Sequence, residues 1–545
     1  MTWTVDRRGF LRTVVVSAGA LGLSSISTGC SSSKNANEVF PQSLASGDPK
    51  PSSVLLWTRV APGAMAEPEV VQYEVALDDG FSEIVASGEI MASAQEDHTI
   101  RILLTDLSAY TTYYYRFVAR GTSSRTGRTK TAPQPDQDVN PRFAFASCQD
   151  YVGRYYHSYR VLAEQEEDVD FVVFLGDYIY EWELGTNILN ENLGEDRRVD
   201  IPDGLEIELE GVHLKTAVTL ADYRGLYKQY KQDPDLQRAH ELFPFIVVWD
   251  DHEFANDAWQ DHAVDFADAQ GDEKSPERRA AATQAWHEFI PVDISLYKDR
   301  SFPEDITIYR SFRYGKHLEL ALTDQRYYRS DHVIPEGPVD QLVGKTGENT
   351  AFGARIFAQK PGFDVREAES EVSMLGDAQR EWLLDTLTQS DATWKFWGSQ
   401  TLVAEMMLDL RNRDLAGPLD HQFYFKLDHW DGFRSERAQL LGALKDTENL
   451  VVVSGDIHGF YAAELQENFD EPGEPAAVEF TVSGISSAPL QEQMEQVIAN
   501  NVILEALGLG DLIKTFDTVL QESGPHYRYA SSATHGIAIV EVRGT

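Results

Sequence analysis

Residues 171–181 read FVVFLGDYIYE, a continuous apolar run that breaks at Gly176 and sets Asp177 and Tyr180 just past its end. A run apolar throughout predicts a strand covered on both faces, as in α/β proteins, where ligands collect beyond the carboxyl ends of the strands. Gly176 permits a tight turn out of the strand. A carboxylate at 177 could then bridge two metal ions while the phenol three residues on reaches one of them. Taken alone, Asp177 reads more readily as a turn cap and Tyr180 as a packed aromatic. Recurrence reverses that reading. Residues 142–150 (RFAFASCQD), 243–253 (FPFIVVWDDHE), 317–326 (HLELALTDQR), 450–459 (LVVVSGDIHG) and 478–487 (VEFTVSGISS) are five more such runs. Five of the six end on Cys148, Asp177, Tyr180, Asp251, His252, Asp324, Arg326, Asp456 and His458, which predicts one convergent site.

Between the runs the pattern turns helical. Thr219-Leu220-Ala221-Asp222 resembles a capping box with Asp in place of Glu, and opens a helix with Leu226, Tyr227 and Tyr230 on one side that stops near Asp233-Pro234. Further helices are expected over 276–289, 376–388, 435–447 and 491–507, so the layout is an α/β one with strands sandwiched by helices. The acidic stretch 181–211 is expected to be a loop near the site mouth. Residues 512–520 read as helix and 533–542 as a last strand. The C-terminal helices either cover the site as a lid or simply pack outside.

The first part of the chain differs. Strands at 53–59, 70–77, 99–104 and 112–119 are rich in β-branched and aromatic residues and are separated by turn residues. They predict a small all-β sandwich of immunoglobulin or fibronectin type over residues 39–133. Leu107, Thr111, Tyr113 and Tyr115 resemble a tyrosine corner that ties a loop to the sheet. Pro133 and Pro135 mark a linker, after which residues 134–545 form the larger domain. Residues 1–30 read as a twin-arginine export signal, with Arg7-Arg8 before an apolar stretch too short to span a membrane. Residues 31–38 would be a tether, and Thr28-Gly29-Cys30 resembles a lipoprotein box although Ser27 stands where an aliphatic residue is usual. The expected location is thus periplasmic, secreted or anchored by lipid at the cell surface, with the twin-arginine machinery as a partner.

The 545 residues carry 47 Lys+Arg against 88 Asp+Glu, a formal charge of −41, which disfavours nucleic acid and anionic lipid as partners. A small phosphate ester is still able to reach a locally positive site, because screening confines the repulsion to about 8 Å. The chain has two cysteines, Cys30 and Cys148. If Cys30 is cleaved off or acylated, the mature chain holds one thiol and no internal disulfide. Its position past a strand end favours metal ligation over a small buried hydrophobe.

Gly176-Asp177-Tyr178-Ile179-Tyr180, Asp250-Asp251-His252-Glu253 and Gly455-Asp456-Ile457-His458 resemble, in order, three blocks of the calcineurin-like metallophosphoesterases. With Cys148, Asp324 to Arg329 and Trp430-Asp431-Gly432 they are more similar to the PhoD-like alkaline phosphatases, over nearly all of the mature chain. The resemblance implies a metallophosphoesterase β-sandwich core flanked by helices, with Cys148, Asp177, Tyr180 and His458 around Fe³⁺ and Asp177, Asp251 and Asp456 around Ca²⁺. The all-oxygen set suits a hard divalent cation on its own chemistry, and the thiolate, phenolate and carboxylate suit a trivalent one. A second calcium is implied without assignable ligands.

Such a pair predicts attack by a metal-bridging oxide or hydroxide on a phosphomonoester, and on diesters too, with release of inorganic phosphate. Arg326 is expected to clamp the phosphoryl oxygens with two parallel bonds, and His252 to bond the phosphoryl group or protonate the leaving oxygen. Two other readings stay open: a phospholipase D-like or other phosphodiesterase on this scaffold, and a non-catalytic calcium-dependent surface binding protein.

Overall fold

All six apolar runs fold as strands, and they divide three and three between two sheets. The computed structural model describes residues 2–6, 9–14 and 32–544, apart from 63–68, 167, 187–196, 210–211, 264–273, 335–352, 355–356, 414, 416–418, 472 and 500–508. Arg142–Ala146, Phe171–Phe174 and Pro244–Val247 run parallel at the middle of a nine-stranded sheet. Leu318–Leu322, Leu450–Ser454 and Ala477–Thr481 belong to a seven-stranded sheet, with Trp394–Gly398 between the first two. Every residue of Phe171–Phe174 and of Leu450–Ser454 is buried, which explains why neither run alternates.

The two sheets face each other. The Phe143 and Phe396 rings meet edge-on at 5.4 Å between centroids, and Phe171 stacks on Tyr314 at 4.2 Å. Helices close the outer faces. Leu220–Tyr230 and Pro276–Phe289 cover the nine-stranded sheet, joined by the Tyr227–Phe289 stack at 5.5 Å. Leucines of Asp377–Gln389 and Arg434–Leu444 join a second core with Trp397 and Val452 on the far face of the seven-stranded sheet. The architecture is therefore mixed α/β, two central sheets between helical layers. Local chemistry acts as expected where it could be read: the Thr219–Asp222 capping box forms, and Asp233 caps the next helix, Pro234–Leu242.

The N-terminal β region keeps its predicted strands but not its separateness. Leu44–Lys50 pairs in parallel with Pro244–Val247, so Leu44–Lys50, Ser53–Arg59 and Thr99–Leu104 continue the nine-stranded sheet. Glu69–Ala76, Ile84–Ala92, Thr112–Ala119 and Gly127–Lys130 form a second sheet over a core that includes Val54, Leu56, Val71, Tyr115 and Phe117. The Tyr113 hydroxyl accepts the Ser108 amide at 2.8 Å, the expected tyrosine corner.

Several expectations are corrected. Leu205–Leu209, inside the acidic stretch expected to be a loop, is a strand paired with Val212–Thr216; Leu205, Ile207 and Leu209 carry the alternation that marks it. The 512–520 helix is two helices, Leu509–Lys514 and Phe516–Ser523, and the last strand is only Ala538–Glu541. The 491–507 helix is described as Leu490–Ala499, its remainder lying outside the described residues. Thr2–Asp6 and Gly9–Val14, expected to stand apart from the fold, pair as a hairpin beside Ala538–Glu541, an edge that offers unpaired backbone groups to any extended segment. Arg7, Arg8 and Cys30 lie outside the described residues. Among those described, no helix is long and apolar enough to cross a membrane.

Candidate metal centre

The carboxyl ends of strands from both sheets open on one place. Cys148 follows Arg142–Ala146, Asp177 and Tyr180 follow Phe171–Phe174, Asp251 and His252 follow Pro244–Val247, and Asp456 and His458 follow Leu450–Ser454. Cys148, Asp177, Asp456 and His458 all have left-handed backbone, with φ of 55°, 60°, 62° and 55°. Such geometry is costly for residues with a Cβ and collects at functional sites, where the fold turns each side chain inward. Gly176 is required for a second reason: a Cβ there would lie 2.4 Å from the Asp250 Cβ, because the two ligand turns touch.

The predicted residues meet. Ligand atoms of Cys148, Asp177 and His458 lie within 4.8 Å of one another, as do those of Asp177, Asp251 and His252, and those of Asp250, Asp251 and Asp456. The Tyr180 hydroxyl donates to Asp177 Oδ2 at 3.0 Å, lies 3.3 Å from His458 Nε2 and accepts from Ser487 Oγ at 2.7 Å. His458 Nδ1 is 2.8 Å from the Ala488 carbonyl, which it reaches as a donor, leaving Nε2 with a lone pair toward the cluster.

The electrostatics fit a cation. Burial, then the charges of Asp177 and Asp456, pushes the Cys148 thiol up; burial, then Asp177 and Cys148, does the same to the Tyr180 phenol. Asp177 is also pushed up, by burial and by Asp251 and Asp456 against the opposing pull of His252. Deprotonating these groups together requires positive charge among them, which a polyvalent ion supplies. Burial, then the nearby Lys426 charge, lowers His458 to about 3, so its imidazole is neutral as a ligand must be. Asp177 Oδ1 is buried without a hydrogen-bond partner, an orphaned oxygen that fits a metal contact.

Two sequence expectations change and a third holds. Arg326 is fully buried and already taken: Nε donates to Asp250 Oδ1 at 2.5 Å and Nη1 to Asp428 Oδ2 at 2.7 Å, leaving Nη2 3.6 Å from Asp251 Oδ2. A two-bond clamp on substrate is not the arrangement found. Asp324 is not among the grouped ligand atoms; its Oδ1 accepts Trp249 Nε1 and the amides of Arg326 and Tyr327. His252 does face the centre, with Nδ1 held by Glu181 Oε2 at 2.6 Å. Burial opposes the imidazolium there, but Glu181, Asp251 and Asp177 outweigh it and raise its proton affinity well above the ordinary range.

Sequence reading missed the segment Lys426-Leu427-Asp428-His429. Asp428 binds Arg326, Arg329 and His332, and His429 Nε2 bonds Asp456 Oδ2. The only signal was adjacency to Trp430-Asp431-Gly432, where Asp431 proves structural, bound to Arg437 and to the Met406 amide.

A polar cluster of thiol, phenol, imidazole and carboxylates at the strand ends of a two-sheet core defines a class, the hydrolases that cleave phosphoesters at a metal centre. The chain belongs to the PhoD-like phosphatase family, whose model matches residues 143–545 while that of the family's N-terminal domain matches 25–133. It is 32% identical to alkaline phosphatase D of Bacillus subtilis (strain 168) over 525 residues, 91% of this chain and 80% of that one. The solved structure of PhoD superposes with a TM-score of 0.73 at 28% identity, covering 95% of this chain and 86% of that chain. The protein is a phosphoester hydrolase.

Proposed function

We propose that this hydrolase is an exported alkaline phosphatase that cleaves phosphomonoesters, and phosphodiesters as well, to release inorganic phosphate. The observation that carries the reading is the meeting of Cys148, Asp177 and His458, drawn from both sheets, beside Asp251 and Asp456. Cys148, Asp177, Tyr180 and His458 would hold Fe³⁺; Asp177, Asp251 and Asp456 would hold Ca²⁺, with one or two calcium ions in all. When bound, such ions supply a water-derived nucleophile near neutral pH and positive charge against the phosphoryl oxygens.

The chain's own residues do the rest. Tyr180, fixed by Asp177 and Ser487, and His458, fixed by the Ala488 carbonyl, keep their donor atoms in place. Arg326 acts as a positioning residue that holds Asp250 through Nε and Asp428 through Nη1, close to Asp251. Glu181 orients His252 so that its other nitrogen meets the leaving oxygen and gives it a proton. No side-chain nucleophile is needed.

Elemental analysis of natively exported protein, with turnover of nitrophenyl phosphate and its bis-ester, tests the reading. Iron with calcium and monoester turnover is expected. Calcium alone without turnover would point to a binding protein, and a large diester preference to a phosphodiesterase.

The N-terminal sandwich is read as immunoglobulin- or fibronectin-like, and residues 1–30 as the twin-arginine signal, with Cys30 either cleaved off with it or acylated as a lipid anchor. Replacing Arg7-Arg8 by two lysines is expected to hold the precursor inside the cell. Leu490–Ala499 is read as a lid: Gln493 touches His458 Nδ1, and Glu492 pairs with Arg154 at 2.5 Å. Truncation before this helix would also remove Tyr527–Ser531 and Ala538–Glu541, one strand from each central sheet, so Arg154→Ala with Gln493→Ala is the cleaner test. Faster turnover of bulky esters with metal retained is the expected result.

A further inference from the structure

The segment 426–429 crosses the metal centre with four residues, and three of its side chains are polar. Two of these are accounted for: Asp428 is locked to Arg326, Arg329 and His332, and His429 to Asp456. A backbone bond from the His429 amide to the Lys426 carbonyl at 3.3 Å closes the turn. Lys426 is the third, and the residues discussed so far give it no task.

Its setting is unusual in three ways. Its φ is 60°, left-handed backbone that a lysine adopts only where surrounding structure imposes it. Its ammonium is near the carboxylates of Asp456, Asp257, Asp251 and Asp428, yet among the described residues it forms no ion pair, whereas Arg326 and Arg329 beside it are both paired. It is also partly exposed, while those two arginines are fully buried.

We propose that Lys426 is the substrate-binding cation of this centre, taking a phosphoryl oxygen in the place sequence assigned to Arg326 and biasing the site toward dianionic monoesters over monoanionic diesters. The proposal rests on the phosphoester-hydrolase reading. A lysine suits the task where an arginine is locked in ion pairs, since its ammonium is a compact point charge with three donors on a flexible stem. One charge-assisted bond to phosphate typically contributes enough to change binding about tenfold or more. A diester has one fewer anionic oxygen to offer and loses less.

The test uses the full metal-loaded protein with Lys426→Asn and Lys426→Arg. Asn tolerates left-handed backbone, so loss of fold does not confound the result. Expected for Lys426→Asn are a rise of about tenfold in KM for nitrophenyl phosphate and in the Ki of inorganic phosphate, a change under about threefold in diester kcat/KM, and unchanged iron and calcium. Lys426→Arg is expected to recover most of the loss. Equal losses for both esters, unchanged KM and Ki, or a changed metal content would each overturn the proposal; an additional bound calcium in Lys426→Asn would make Lys426 an internal counter-charge instead. Calorimetric titration with inorganic phosphate reads the same contact without turnover. Wild-type protein that binds phosphate through Lys426 but cleaves neither ester would sink the hydrolase reading and leave the binding role standing.

Discussion

Glu253 Oε2 accepts the Asp177 amide at 3.0 Å while its Oε1 accepts the Tyr178 amide at 2.7 Å. The same Oε2 accepts the Asp250 amide at 2.8 Å, so one buried carboxylate ties the turn after Phe171–Phe174 to the turn after Pro244–Val247. Through Glu253 the two ligand-bearing turns are fastened directly to each other.

Glu253→Gln keeps the size but turns one acceptor into a donor that faces backbone amides. The loss of stability is expected to be about 1–3 kcal/mol, and metal affinity to fall roughly 10–100-fold. Denaturant unfolding and metal titration read the two effects. Unchanged metal affinity would mean the turns hold their own shape.

Arg326→Met leaves Asp250 and Asp428 buried without their shared partner. Breaking such a pair from one side costs about 3–5 kcal/mol, so the midpoint of denaturant unfolding is expected to fall sharply. Wild-type stability with only a raised KM would return Arg326 to the role of substrate clamp.

Cys148 is buried at 1% exposure among oxygen and nitrogen donors. In a Cys30→Ser background, Cys148→Ser is expected to lose most of the iron while retaining calcium, because the serine hydroxyl is a poor substitute for a thiolate. Thiol reagents are expected to label Cys148 only after chelation or unfolding. Full iron content in Cys148→Ser would place the ion elsewhere.

Lys231 is buried under the Trp57 and Tyr178 rings, 4.4 and 5.1 Å from their centroids, and burial lowers it to about 7 from 10.5. Between those values the unfolded chain binds a proton that the folded chain does not, so this residue's contribution makes the fold more stable as pH rises from 7 toward 10. Lys231→Met is expected to melt a few degrees higher than wild type at pH 7, with the difference narrowing toward pH 10. A difference that stays constant across that range would show that the lysine is not neutralised by folding.

Local pattern carried much of the architecture into view. The unbroken apolar run at Leu450–Ser454 and the Thr219–Asp222 box each depend on residues within one turn or one strand of each other, and both formed as expected. Leu205–Leu209 was equally legible by its alternation, but its acidic surroundings hid it. The six metal candidates were readable because turn glycines and acidic residues directly follow buried strands.

What the sequence by itself determined was which segments are strands buried on both faces and which side chains stand at their ends, since burial periodicity and turn chemistry are written within a few residues. Only the tertiary structure decided how the strands divide between two sheets, that Leu44–Lys50 joins the larger one, and that Arg326 is bound to Asp250 and Asp428, 76 and 102 positions away. The reason is physical: competition among buried charges for partners is settled by distance in space, and sequence separation holds no record of it.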